Sequence, residues 1–377
     1  MIRHALALAL ALAAALLAPA TAAAELRIEG RGFGHGIGMS QYGAYGLALR
    51  EGRDFRAILA HYYQGTRVAK RRARTVRVLL KQSSSQKVCG ATRARGADGR
   101  TLRLSDRRMY RFYPSGTAYL RVYDTRARRS LPRLRAPVRV TGGSSVCLRG
   151  RAENGVTNGS YRGAFVLDRA GSRVRVINRV HSEHYLYGVV PAEMPTSWPL
   201  EAVKAQAVAA RTYALKRLTP ARDFDVYADV RSQVYRGIAA ETRRGTLAVR
   251  RTRYLVVTWQ GELADTFFHS TSGGRTAANE EIWGGTPVPY LRSVEDPHDD
   301  ISPVHTWTVT FSRAEAERKL GSLVRGELER VRVIERTPSG RAKTVEIRGS
   351  EGTRTASGPE IRTKLGLRSS WFTATGP

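Results

Sequence analysis

The sequence predicts an α+β fold, and three observations support that prediction. Residues 199–218 carry apolar side chains at helical spacing, whereas residues 66–178 consist of short alternating runs divided by Gly, Ser and Pro. A Gly-rich segment, RGFGHGIGMSQYGAYG at residues 31–46, precedes both. About 350 residues follow the N-terminal leader described next, which is more than one hydrophobic core usually serves, so we expect two domains.

The first 24 residues have the pattern of an export signal. Arg3 supplies a positive start, residues 5–17 form an Ala/Leu run, and three alanines precede Glu25. The run has 13 residues, whereas a membrane span needs about twenty. We therefore expect a signal peptide at residues 1–24 and a secreted, extracytoplasmic protein; a retained N-terminal anchor is the alternative.

Further elements are predicted in chain order. A helix should end near Arg50, and a second one should cover residues 55–63. Residues 66–178 should be all β, and residues 199–218 should form a long Ala-rich helix with Pro199 at its first position. The later predictions are a helix at 238–249, strands at 254–259 and 263–268, a polar loop at 269–276, a strand at 306–311 and a helix at 313–320.

The chain has two cysteines, Cys89 and Cys147, both inside the β-rich region. In an oxidising compartment an even pair predicts a disulfide, here one that staples this region. Two thiols with no third ligand nearby make a poor metal site, so we expect no metal there.

The formal net charge of +31 is spread along the whole chain and comes mostly from arginine. Such a field favours polyanionic partners. Export removes nucleic acid from reach and leaves wall carboxylates, teichoic-type phosphates and anionic lipid headgroups. The alternative is that the arginine content reflects overall composition and that much of the surface charge binds no partner.

Glu193 is the candidate catalytic residue. It lies between Pro191 and Pro195, in a predicted turn before the long helix, and Val189, Met194 and Trp198 are close enough in sequence to shield it from water. Partial burial raises a carboxyl pKa, which a general acid acting on a glycosidic oxygen requires. A solvated loop glutamate is the alternative.

The segment YGVVPAEMPTSWPLEAVKAQAVAARTYAL resembles the core motif of the stage II sporulation protein D family, also called SpoIID/LytB domains. Three other blocks resemble the family as well: GHGIGMSQYGA at residues 34–44, SQVYRG at 232–237 and FHSTSGGRT at 268–276. The resemblance implies a lytic transglycosylase that acts on peptidoglycan glycan strands stripped of stem peptides, with Glu193 as acid and base.

One carboxylate suffices for this chemistry. Most glycosidases need a pair of carboxylates, whereas in a lytic transglycosylase the 6-hydroxyl of the muramic sugar is the nucleophile.

Two other functions stay open: a non-catalytic wall-binding module or amidase enhancer that acts with a cell-wall amidase, and a basic polyanion-binding protein. Growth, division and spore formation all fit.

The resemblance and the residue types suggest a set of substrate-binding positions. They are Lys204, Arg211, Gln233, Tyr235, His269, Ser270, Ser272, His35 and Gln41. Lys204 and Arg211 are seven residues apart on one helix face, where a solvated basic stripe is the alternative. Glu183 and Glu201 are the rival carboxylates; Glu201 fits a helix start, and Glu183 fits a structural or a supporting role.

We expect no cofactor. Some family members bind zinc around the loop that corresponds to residues 269–276, using His and Cys, but this sequence has Ser272 and no cysteine there.

In many relatives the Gly-rich block follows a block similar to GLRSSWF, which here lies at residues 366–372. This order suggests a permutation in which both ends of the mature chain meet beside the active site. We therefore expect a catalytic domain built from residues 25–66 and 173–377, with residues 67–172 as an inserted β-rich domain.

Overall fold

The computed structural model describes residues 25–376, and the predicted signal peptide at residues 1–24 lies outside them. Helices and strands alternate irregularly within the described residues, which confirms the α+β class. No helix in this part of the chain has the length and hydropathy that a membrane crossing requires.

The described residues contain eight α-helices and 22 strands. The helices are α1 Gln41–Arg50, α2 Phe55–Tyr62, α3 Ser182–Glu193, α4 Leu200–Lys216, α5 Arg243–Arg251, α6 Asn279–Trp283, α7 Arg313–Leu320 and α8 Gly358–Leu365. The strands are β1 Glu25–Arg31, β2 Met39–Ser40, β3 Arg67–Lys70, β4 Thr75–Ser83, β5 Gln86–Arg95, β6 Thr101–Arg103, β7 Met109–Ser115, β8 Tyr119–Asp124, β9 Arg129–Arg135, β10 Val138–Leu148, β11 Ser160–Tyr161, β12 Ala164–Ala170, β13 Arg173–His181, β14 Val226–Tyr227, β15 Leu255–Trp259, β16 Glu262–Leu263, β17 Phe268–His269, β18 Thr306–Ser312, β19 Leu328–Arg336, β20 Ala342–Gly349, β21 Gly352–Ser357 and β22 Phe372–Thr375.

The chain divides into two compact units. The larger unit is Phe33–His305, and the smaller unit combines residues 25–32 with residues 306–376. Each unit has its own hydrophobic core. The predicted boundaries at residues 66 and 173 fall inside the larger unit, and the proposal that residues 67–172 are an insert stays a prediction.

A large sheet organises the larger unit, with strand order β14-β4-β13-β12-β10-β5-β7-β8-β9. Strands β5 and β10 are antiparallel, and Cys89 lies directly opposite Cys147 in their register. A disulfide joins the two residues, which confirms the predicted pair. Strand β13 lies between β4 and β12 and runs directly into α3, so the sheet fixes the start of the helix that carries Glu193.

Helix α4 is the centre of the helical part of this unit. It packs against α1, α2, α3 and α5, and its alanines are buried. Small side chains allow this close approach from several directions, as the composition of residues 199–218 predicted. Both ends of the helix lie within two residues of the predicted limits, 199 and 218.

In the smaller unit β1 forms the middle strand of a sheet with order β18-β1-β22. Glu25 pairs with Ser312 on one side, and Gly30 pairs with Phe372 on the other. The first and last described strands are therefore neighbours, as expected for chain ends that meet. The evolutionary permutation stays a prediction.

Three local predictions were wrong. Residues 238–249 are not one helix, because Thr242 is extended and its side chain caps α5, after a short 3₁₀ turn at Gly237–Ala240. Residues 263–268 are not one strand: β16 pairs with β15, whereas β17 pairs with β2 of the Gly-rich block. Glu193 lies not in a turn but at the end of α3.

Candidate active site

Glu193 is the last residue of α3. The next residue, Met194, is extended at φ −141° and ψ 138°, because the ring of Pro195 disfavours helical backbone in the residue before it. Pro191 lies in the last helical turn and does not end the helix. The second proline, and not the first, therefore determines where the catalytic candidate is placed.

The environment of Glu193 keeps its carboxyl group partly protonated at neutral pH. Burial raises the pKa of Glu193 to about 7, although the Val234 N–H bond and the charge of Arg236 oppose the shift. The side chain is half-buried, so it is neither in open solvent nor sealed inside the protein. Burial therefore shifts the pKa in the direction that a general acid needs, and the catalytic role of Glu193 stays a prediction.

The backbone of Val234 fixes the orientation of the carboxyl group. Its N–H donates to Glu193 Oε1 at 2.6 Å. Because Oε1 is the acceptor of this bond, the proton of the neutral acid belongs on Oε2. Sequence reasoning missed Val234, since a backbone donor has no side-chain signature; its position inside the SQVYRG block was the signal.

Gln233 and Tyr235 flank Val234, and both side chains are buried. Gln233 Oε1 accepts from the Tyr185 hydroxyl at 3.1 Å, and the Tyr235 hydroxyl donates to Asn178 Oδ1 at 2.9 Å. Their predicted substrate-binding role is corrected: both side chains are anchored in the interior and hold the Val234 backbone against Glu193.

Gln41 connects the Gly-rich block to the candidate catalytic residue. Its Nε2 donates to the main-chain oxygen of Glu193 at 3.0 Å and to Gln206 Oε1 at 3.3 Å. The side chain is buried, so Gln41 positions Glu193 and does not line a groove. The start of α1 therefore lies against the end of α3.

Three aromatic rings form a cluster beside this junction, which we call the aromatic platform: Tyr42, Tyr45 and Trp198. The Trp198 ring lies 4.7 Å from each tyrosine ring, between ring centroids, and is stacked on Tyr45. All three side chains are half-buried. Arg244 holds the Trp198 segment by donating to the carbonyl oxygens of Thr196 at 2.7 Å and Trp198 at 2.9 Å.

Trp198 was predicted only as a shield for Glu193, and neither tyrosine was among the predicted site residues. The signal was the spacing of Tyr42 and Tyr45, three residues apart on a short helix. Partly exposed aromatic faces of this kind can pack on the C–H faces of sugar rings.

His35 and the loop at residues 269–276 lie close together. The ring of His35 lies 5.5 Å from that of His269 and 5.2 Å from that of Trp283, which is 51% exposed. His269 is buried, whereas His35 and Ser270 are half-buried. Main-chain pairing between Tyr42 N–H and the oxygen of Ser270 joins this loop to the aromatic platform.

Arg211 does not face Glu193. Its guanidinium makes two bonds of 2.8 Å to the two carboxylate oxygens of Glu183, and both side chains are buried. It also donates to the carbonyl oxygens of Leu255 and Val249. The predicted sugar-binding role of Arg211 is therefore corrected to a buried ion pair, and Glu183 is structural.

Lys204 is likewise occupied within the protein. It pairs with Glu201 at 2.7 Å and lies 4.8 Å from the ring of Phe55. Glu201 also accepts from the Phe55 N–H at 3.0 Å. The pair fastens the start of α2 to α4, so the predicted contact of Lys204 with substrate is corrected to a structural one.

Ser272 is buried, and its hydroxyl donates to Asp299 Oδ2 at 2.9 Å. Asp299 also accepts from the Gly273 N–H at 2.6 Å and contacts His305 Nδ1 at 2.7 Å. The predicted sugar contact of Ser272 is corrected to support of the loop. Sequence reasoning did not select Asp299, because nothing in the local pattern links it to this loop.

The same loop does not fit a zinc ion. Zinc in proteins favours thiolate, imidazole and carboxylate ligands, whereas position 272 of this loop holds the neutral, hydrogen-bonded hydroxyl of a serine. Within residues 25–376 no group of three or more His, Cys, Asp or Glu side chains is arranged to hold a metal.

Comparison with known proteins shows that part of the chain is similar to a known family. Residues 170–259 match the family described as SpoIID, stage II sporulation protein. The chain is 32% identical to stage II sporulation protein D of Bacillus subtilis (strain 168) over 213 residues, which cover 52% of this chain and 61% of that protein. It is 33% identical to the protein of the same name from Bacillus amyloliquefaciens, over 52% of this chain and 60% of that one.

A third relative is the amidase enhancer of Bacillus subtilis (strain 168). It is 38% identical over 135 residues, which cover 36% of this chain and 18% of that protein. The chain thus spans about three fifths of the sporulation proteins it matches and less than a fifth of the enhancer. The family resemblance read from the motifs is confirmed, and the matched region contains both Glu193 and Val234.

Proposed function

Because this chain carries a SpoIID domain at residues 170–259, we propose that it is a peptidoglycan lytic transglycosylase with Glu193 as its single acid and base. One observation carries the proposal: Glu193 is half-buried, is oriented by the Val234 N–H, and has a pKa of about 7. A carboxyl group in this state can both donate and accept a proton near neutral pH.

The reaction would proceed in two proton transfers. Glu193 Oε2 donates its proton to the glycosidic oxygen between muramic acid and glucosamine, and the bond from that oxygen to C1 of the muramic sugar breaks. The 6-hydroxyl of the same sugar then bonds to C1 and returns its proton to Glu193. The product has a 1,6-anhydro end, and no water is consumed.

The surroundings of Glu193 support both halves of this cycle. The Val234 N–H and the charge of Arg236 stabilise the ionised form that exists after the first transfer. The rival carboxylates are bound elsewhere, Glu183 by Arg211 and Glu201 by Lys204. A mechanism with one carboxylate therefore fits this site better than the two-carboxylate mechanism of hydrolases.

We assign the aromatic platform to the glycan strand. Tyr42 follows Gln41, which binds the Glu193 main chain, and Trp198 is five residues beyond Glu193. Its rings supply apolar faces for sugar rings next to the acid. In this proposal Tyr42, Tyr45 and Trp198 position the substrate, in place of the basic and buried residues that the sequence predicted.

The test is digestion of denuded glycan strands by the wild type and by Glu193→Gln, followed by mass spectrometry of the ends. Anhydro ends with the wild type and a loss of activity of about 10²-fold or more with the variant are expected. Reducing ends would identify a hydrolase, and equal activity of the variant would remove Glu193 from the mechanism.

A second function is favoured by the similarity to the amidase enhancer: the chain would bind wall glycan without cleaving it and assist a cell-wall amidase. Both functions require an extracytoplasmic location, which agrees with the signal peptide expected at residues 1–24. Wall binding that is unchanged in Glu193→Gln, together with faster amidase turnover and no anhydro ends, would select this function over the first.

A further inference from the structure

Two adjoining cavities of the larger unit are lined by several basic residues, together with Ala73, Tyr254, Glu183 and Tyr187. Their volumes are about 470 and 440 Å³, and His181 lines both. We call six of the lining residues the basic patch: Lys70, Arg71, Arg72, His181, Arg250 and Arg253. All six are exposed. The SpoIID proposal makes no use of this surface.

The fold holds the two sides of the basic patch together. Lys70 ends β3 and pairs with Leu255 of β15, and the Arg71 N–H donates to the oxygen of Tyr254 at 2.9 Å. Arg250 and Arg253 come from the end of α5 and the turn that leads into β15. Strand pairing therefore brings cations from two distant segments to one recess.

The positive charge of this recess is not neutralised by acidic side chains. Glu183 is the acid in the lining, and both of its oxygens accept from buried Arg211. Among residues 25–376, none of the five Lys and Arg residues of the basic patch has a carboxylate within ion-pair distance. Arg71 instead donates to the carbonyl oxygens of Lys70 and Gly261. These bonds fix the position of its guanidinium group, and they do not neutralise its charge because carbonyl oxygens are uncharged.

His181 adds a directed donor. Its Nδ1 accepts from the Glu183 N–H at 3.3 Å, where it caps α3. The proton of the neutral ring is consequently on Nε2, which is the atom left for a ligand. The recess combines five cations and one imidazole donor around space for two or more anionic groups.

We propose that the basic patch binds a linear polymer of polyol units joined by phosphodiesters. Two adjoining recesses suit repeated anionic groups, and a tetrahedral phosphate can accept bonds from cations on both walls at once. A linear chain can follow both recesses, whereas a flat lipid surface would reach only their outer rim.

The polymer would bind away from the SpoIID catalytic candidate. His181 precedes α3, and Glu193 ends it. Twelve residues of helix span about 18 Å, so the basic patch and Glu193 lie at opposite ends of one rigid element. A phosphate polymer held here would leave Glu193 free and would fix the domain on a wall that contains both polymers.

The experiment compares two triple variants of the full mature chain. The patch variant is Arg72→Gln, Arg250→Gln and Arg253→Gln. The control is Arg107→Gln, Arg126→Gln and Arg129→Gln, which removes the same charge from exposed arginines of the β-rich region. The probe is poly(glycerol phosphate), with affinity measured by calorimetry across a range of salt concentrations.

The patch variant should bind about tenfold or more weakly, and the slope of log K against log salt should fall by about 0.7 for each arginine that contacts a phosphate. The control variant should lose less than about twofold. Equal losses in the two variants would overturn the proposal, because binding would then reflect net charge alone.

Three further probes test the class of ligand. Polygalacturonate carries carboxylates, oligo(dT) carries phosphates on nucleosides, and vesicles with anionic phospholipid present phosphates on a flat surface. Equal or tighter binding of any of them, with the same dependence on the patch arginines, would overturn the assignment to a polyol phosphate. Both triple variants should retain glycan cleavage, so a failure of this proposal is distinct from a failure of the catalytic one.

Discussion

At the scale of single residues, the raised pKa of Glu193 has a cost in stability that can be measured. Its ordinary pKa of 4.5 rises to about 7 in the folded protein. Between these values the folded state keeps a proton that the unfolded state has lost. The free energy of unfolding therefore falls as pH rises through this window.

Glu193→Gln should accordingly stabilise the protein at high pH. The expected gain is roughly 3 kcal/mol at pH 8, where the wild type must ionise a half-buried carboxyl group, and close to zero below pH 4.5. Urea denaturation of both proteins at several pH values measures the difference. Glu262→Gln, at an exposed position, is the matched control; a variant that gains nothing at pH 8 would contradict the raised pKa.

The buried pair of Glu183 and Arg211 makes the opposite prediction. Arg211→Met leaves the Glu183 carboxylate buried without its cation, which should cost about 3 to 5 kcal/mol in urea denaturation. Glu183→Gln combined with Arg211→Met should recover part of the loss, because no uncompensated charge is left inside. Wild-type stability of the Arg211→Met single variant would show that the pair is not buried in solution.

The contrast between Glu193 and Val234 shows what could be predicted at this scale. Glu193 was identifiable because its residue type, its apolar neighbours in the sequence and the family motif all indicate the same role. The donor that orients it is a main-chain N–H, so any residue at position 234 would supply it except proline. Arg211 was misassigned because seven-residue spacing indicates a shared helix face but not what that face meets.

At the scale of elements, the two closely spaced prolines explain why α3 was not predicted. Pro191 and Pro195 suggest a loop, yet β13 and the interior of the larger unit hold residues 182–193 in a helix through Pro191. The long helix α4 was predictable because its alanines and its charged ends agree with one another. The split of residues 263–268 into two strands depends on distant partners, which no local pattern reveals.

The close packing of α1 against the loop that carries Asp296 gives an element-scale prediction. A Cβ at Gly43 would lie 2.1 Å from both Asp296 Oδ1 and the Tyr62 hydroxyl. Alanine favours a helix by about 1 kcal/mol over glycine, but overpacking costs about 1 to 3 kcal/mol. Gly43→Ala should therefore destabilise the protein in urea denaturation.

Gly143→Ala is the control for that substitution. No atom lies within 4 Å of the position that its Cβ would occupy. It should change stability by less than about 0.5 kcal/mol. Equal effects of the two substitutions would mean that α1 is not packed as closely as described.

At the scale of the whole molecule, the larger unit is one continuous segment with its own core and contains every residue assigned to catalysis. A chain of residues 33–305 alone should fold and should retain the formation of anhydro ends. Circular dichroism and thermal unfolding check the fold, and the glycan digest checks the activity, with Glu193→Gln in the same short chain as the control. An unfolded product would show that this segment depends on the rest of the chain.

The pairing of β1 with β18 and β22 also determines the order in which the protein can be completed. As the chain emerges from the ribosome, β1 is made first, but both of its partner strands lie at the opposite end of the sequence. At about 5 to 20 residues per second, some 275 residues of synthesis separate β1 from β18, so β1 stays unpaired for roughly 15 to 60 seconds. The larger unit can be complete before the sheet that joins the two termini begins to close.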